Sequence, residues 1–177
     1  MPFRVVDVST QRQALIQLAQ LAQKSILHPL VKESAIQIVR SCQSRDDACE
    51  LEAIFNAVKY GDPRVKPLKR GFKYIADPRS TDAFTAPYRN LQMCMRGACG
   101  GDCDDHAALI CALAGAIGFK TGLRAWGPKG EDFEHVYAVV GVSKRNPTRA
   151  VGMDTTVDES SVGWEPPPGE VLTAWLP

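Results

Sequence analysis

The chain has 177 residues, is 45% hydrophobic and carries a formal net charge of +1. That length favours one domain able to bury a core without disulfide or metal staples, and the balanced charge excludes a disordered chain or a surface built for nucleic acid or acidic membranes. No run approaches the ~18 apolar residues of a membrane span, and Met1 to Thr10 lack the basic and apolar stretches of a secretory signal, so a cytoplasmic protein is expected.

The first part, about residues 10–60, reads as helices. Thr10 and Gln13 form a capping-box start, and Leu15, Leu18, Ala19, Ala22 and Ile26 recur on one helical face. Pro29 suits the first turn of a second helix, with Val31, Ala35, Ile38, Val39 and Cys42 as its stripe. Asp47 and Glu50 cap a third, which carries Leu51, Ile54, Phe55 and Val58 and stops at Gly61-Asp-Pro63. Residues 61–102 are rich in Pro, Gly and charge, and only Gly71–Ile75 reads as a short strand. So long an irregular stretch inside one domain suggests the wall of a binding cleft. From Cys103 to Ile117 the sequence is apolar almost all round, which predicts a buried central helix closed by Gly118. Three strands follow, over 120–126, 135–142 and 150–154, and the tail from Gly163 reads as Pro-rich loop. Helices first and strands later make an α+β domain, its core chemistry falling within about 103–165.

The sharpest local feature is Gly100-Gly-Asp-Cys-Asp-Asp-His-Ala107, at the start of the central helix. Two glycines permit a tight turn, and Cys103 falls in the first helical turn, where N–H groups and the helix dipole favour a thiolate and face a developing oxyanion. The same acids have a plainer use: Asp102 and Asp105 make a capping pair, and carboxylates beside a thiol raise its pKa. A base is therefore needed, and there are three histidines. His28, just before Pro29, reads as a surface residue. His106 shares the helical face of Cys103 and is the rival base. His135 opens a strand, where one ring nitrogen can face a cleft. Asp154 ends the next strand, and if the two strands are antiparallel neighbours it lies near His135 and can orient the ring.

Six cysteines are many for a reducing compartment. Cys42 and Cys111 occupy apolar helical positions and read as small core residues. The Cys94-x4-Cys99-x3-Cys103 spacing matches no zinc knuckle, and Cys94 with Cys99 reads instead as a redox pair close to the site.

The segment Gly101 to Phe119, with Glu134-His-Val-Tyr137 and Gly152-Met-Asp-Thr155, resembles the transglutaminase-like cysteine-enzyme superfamily. Upstream, Ala53–Val58 and Phe72–Pro78 are similar to that superfamily's helix and strand before the nucleophile. The resemblance covers roughly residues 35–165 and is nearest to the compact bacterial and bacteriophage members. It implies a papain-like, transglutaminase-core fold with N-terminal helices, a buried helix carrying the nucleophile and a small antiparallel sheet. It also implies a triad of Cys103, His135 and Asp154, with no cofactor. Asn90 and Gln92 are the nearby amides for an oxyanion hole. Some bacterial members place acids for calcium where Asp102 and Asp104 stand, though these fall short of the six to eight oxygens that calcium takes.

The function that follows is hydrolysis of an amide in a peptide or protein through a thioester. Two alternatives remain: a catalytically idle structural or binding protein, such as a virion component, and a protein cross-linking enzyme. The expected partner is the peptide or protein substrate, with no nucleic acid and no membrane. If residues 61–102 wall the cleft, Lys66, Lys69, Arg70, Lys73, Arg79, Arg89 and Arg96 line it, repel a lysine amine and favour water as acceptor.

Overall fold

A computed structural model describes residues 8–76 and 84–177; Arg79 and the end of the Phe72–Pro78 segment lie outside them. The helices are α1 (Val8–Ile26), α2 (Pro29–Val39), α3 (Asp47–Lys59), α4 (Pro87–Met95) and α5 (Cys103–Ala116). The strands are β1 (Lys73–Tyr74), β2 (Gly100–Gly101), β3 (Thr121–Gly127), β4 (His135–Val142), β5 (Arg149–Met153) and β6 (Glu170–Trp175). The mixed α+β class is as the sequence implies.

α5 is the centre. Every residue from Asp105 to Ala114 is buried, and the run of Ala, Leu, Ile and Cys lets α1, α2, α3, α4 and the sheet pack against it. Burial of Leu109, Ile110 and Leu113, each 0% exposed, stabilises by roughly 1.5–3 kcal/mol per side chain. The helix ends at Ile117, and Gly118 follows with φ +98°, a left-handed position that glycine occupies without steric cost.

The helix starts differ from the local signals. α1 begins before Thr10, which lies inside it rather than capping it. α2 starts at Pro29 as expected, but its cap is His28, whose Nδ1 accepts from the Leu30 N–H at 3.2 Å and whose ring stacks on Tyr88. His28 is thus a structural residue rather than a bystander. Asp46 caps α3 by accepting from the Cys49 N–H. Asp47 and Glu50 instead reach across to Lys144, taking its backbone N–H and its ammonium.

The main sheet has the order β5-β4-β3-β6 and is antiparallel throughout. β6 is the main departure from expectation, because the tail is not all loop. Beyond the prolines, Val171, Leu172, Thr173 and Trp175 supply strand-forming residues that pair with β3. The stretch between 61 and 102 also holds more structure than its composition suggests, namely α4 and β2. β2 pairs in parallel with β1, Lys73 opposite Gly100, and delivers the chain to the start of α5. Gly101 is required there: a Cβ would sit 2.3 Å from Asp105 Oδ2.

Candidate active site

Cys103 is the first residue of α5. Asp102 caps the helix by accepting from the N–H groups of Asp104 at 3.1 Å and Asp105 at 3.3 Å. These are two of the helix donors expected to face an oxyanion, and the cap has taken them. Asp105 serves the core as well as the helix start. It is buried, and its Oδ1 accepts from Asn90 Nδ2 at 3.1 Å. Asn90 is thereby committed, and Gln92 is exposed on α4, so neither amide attends the thiol.

β4 outruns β5. Their pairing starts at Ala138 opposite Met153, so residues 135–137 extend past the end of β5, where the chain turns into Asp154. There His135 Nε2 meets Asp154 Oδ2 at 2.5 Å. Asp154 Oδ1 accepts from the Thr156 N–H at 2.9 Å and hydroxyl at 2.7 Å. The Asp154 side chain is only 1% exposed, that of His135 20%. Burial alone would raise the Asp154 pKa, but the hydrogen bonds from His135 and Thr156 outweigh it and hold the carboxyl below its usual value. With Nε2 engaged, Nδ1 is the ring nitrogen left for proton transfer.

Cys103 and His135 line one cavity of about 360 Å³. Its other walls are Ala14, Leu15 and Leu18 of α1, Phe84, and Ala125, Phe133 and Val136 from the β3–β4 hairpin, with Gln11, Asp104 and Glu134 as polar lining. The Val136 backbone N–H faces the Cys103 sulfur closely enough to favour its charged form, and Asp104 Oδ1 lies 3.8 Å from it. Burial, followed by the Asp104 charge, pushes the Cys103 thiol up to about 12; the Val136 N–H opposes this and Asp102 adds to it. The thiolate favoured by the helix terminus alone is therefore not the resting form, since desolvation and like charge win.

His106, the rival base, points elsewhere. It is 3% exposed, its Nδ1 bonds to Thr155 Oγ1 at 2.7 Å, and Phe72 packs edge-on against it. Burial lowers its pKa to about 4. It is a neutral core residue.

Among the described residues, no basic side chain of the 61–102 stretch lines the cavity that holds the thiol. Lys66, Lys69 and Arg70 line a different cavity, Arg89 another, and Lys73 and Arg96 are exposed away from both. From that stretch the described lining takes only Phe84. α1 supplies the wall instead, including Gln11, a polar residue that local sequence reasoning missed because its contact with the site spans some ninety residues of chain.

Cys94 and Cys99 form a disulfide, as their spacing permits, which removes both from any zinc site. Cys42 is not a core thiol but is bonded to Cys49. Cys111 is the buried core residue expected, its thiol donating to the Gly122 carbonyl at 3.2 Å. Among the described residues no group of three or more His, Cys, Asp or Glu is arranged to hold a metal ion. No protein-family profile matches the chain, and neither does any curated protein.

Proposed function

We propose that the protein is a cysteine-dependent acyl-transfer enzyme of the transglutaminase-like, papain-related kind that hydrolyses an amide bond in a peptide or protein. The observation that carries this reading is the 2.5 Å His135–Asp154 contact opening onto the same cavity as Cys103. His135 Nδ1 takes the thiol proton as sulfur attacks the carbonyl carbon, which avoids the cost of a standing thiolate. Asp154 holds the tautomer and stabilises the imidazolium. The Cys103 N–H is the helix donor left for the oxyanion. The imidazolium then protonates the leaving amine, and water, deprotonated by His135, releases the acid from the thioester and restores the thiol.

The test is turnover of a peptide-amide library by single variants. Cys103→Ser and His135→Ala should abolish hydrolysis, and Asp154→Asn should keep the fold and cost roughly ten- to ten-thousand-fold. His106→Ala should lose stability and keep turnover. A lethal His106→Ala beside a silent His135→Ala would overturn the assignment of the base, a fully active Cys103→Ser would overturn that of the nucleophile, and a wild type without turnover would leave only the idle structural reading.

One observation favours a second reading. Among the described residues, the carboxylates Asp104 and Glu134 line the cavity without a lysine or arginine and would attract a lysine amine, so transfer to an amine competes with hydrolysis. The Cys42–Cys49 and Cys94–Cys99 bonds also favour work in an oxidising compartment over the cytoplasm that the N-terminus suggests.

A further inference from the structure

The cavity has two chemically different parts. Leu15 of α1, Phe84 and Phe133 give it an apolar interior, and its volume of about 360 Å³ lies in the range of small-ligand sites. The ionisable lining groups other than the thiol and His135 are Asp104 and Glu134 among the described residues, with no lysine or arginine. Glu134 is exposed at the rim. The β3–β4 connection that carries it, residues 128–134, has Glu131, Asp132 and Glu134 against the single Lys129, and Arg12 of α1 does not line the cavity. On the α1 wall Gln11 Oε1 is buried with no hydrogen-bond partner among the described residues; a ligand N–H brought to it would remove an unsatisfied acceptor.

We infer, building on the acyl-transfer reading, that the cleft selects peptides in which an apolar residue neighbours a basic one, the apolar side chain lodging between α1 and the β3–β4 hairpin and the cation facing the Glu134 rim. An acidic residue in the place of the basic one is disfavoured by like charge. This is the reverse of the preference that a basic cleft wall would impose.

The experiment uses the full chain as Cys103→Ala, so that binding is read without reaction. Acetyl-Phe-Lys-Gly-amide and acetyl-Phe-Glu-Gly-amide are titrated by calorimetry at low and high salt. The lysine peptide should bind about fivefold tighter at low salt, with the gap narrowing as salt screens the rim. It should narrow further in Glu134→Gln and reverse in Glu134→Lys. Replacing Phe by Gly in the lysine peptide should weaken binding severalfold. Equal or tighter binding of the glutamate peptide, indifference to Phe, or no binding of either at millimolar concentration overturns the inference. Alkylation of wild-type Cys103 by iodoacetamide and turnover of peptide amides are read separately. Lysine-peptide preference in an enzyme without turnover would uphold the cleft's selectivity and sink the acyl-transfer reading, and turnover without the preference would do the opposite.

Discussion

A thiol whose pKa is pushed to about 12 by burial and Asp104 reacts through a minority thiolate at every ordinary pH. Alkylation of Cys103 by iodoacetamide should therefore rise about tenfold per pH unit from 7 to 10, without the plateau that a free thiol shows above about 8.5. Asp104→Asn removes the like charge and should raise the rate at pH 8 by roughly threefold to tenfold. A plateau below pH 8 would mean that the helix terminus and His135 outweigh burial. His106 gives a second, independent pH signature. Its pKa falls from an ordinary ~6.5 to about 4 on burial. Both states are neutral above pH 6.5, but between 6.5 and 4 the unfolded chain gains a proton that the folded one refuses. Stability should fall by about 3 kcal/mol across that window as pH drops. Denaturant midpoints would measure it, and His106→Gln should flatten the slope. Asp154 acts in a separate range: its lowered pKa adds stability above the unfolded carboxyl value of about 3.9, lost only below it.

Among the elements, those with dense apolar patterns were legible and those held by distant contacts were not. α5 and β4 follow from continuous runs of buried residues. α4 begins at Pro87 and buries only Pro87, Asn90 and Leu91, too few to stand out from a polar stretch. β6 follows a proline run that masks its strand-forming residues. The disulfides were half legible: the Cys94–Cys99 spacing allowed one, while the apolar stripe of α2 disguised Cys42. The Cys42–Cys49 bond closes the short connection between α2 and α3. Replacing both residues by serine should cost ~2 kcal/mol, since little loop entropy is at stake. Intact mass under non-reducing conditions should show the loss of the four hydrogens of two disulfides, with iodoacetamide blocking only Cys103 and Cys111 after unfolding. Six blockable thiols without a reductant would refute the pairing.

On the scale of the molecule, the order of Cys103, His135 and Asp154 was readable because an antiparallel β4–β5 pair must bring the start of one strand near the end of the next. The cleft itself was not readable, because one of its walls is α1, which reaches the thiol through packing on α5 and β3 and leaves no local mark in the sequence. That misplacement changes the ground for the reaction's outcome. Among the described residues no basic wall favours water, and under the proposed reading the acidic rim would attract amines. Under the proposed acyl-transfer reading, hydrolysis is favoured instead by space. A cavity of about 360 Å³ can enclose one substrate side chain, whereas efficient transfer needs a second amine held and desolvated beside the thioester. Water needs no such site. With a glutamine-containing protein and excess of a diamine, ammonia release should exceed amine incorporation several-fold at 0.15 M salt, and the remaining incorporation should drop in Glu134→Gln. Incorporation that outruns hydrolysis would make the protein a cross-linking enzyme whose acceptor site is this acidic rim.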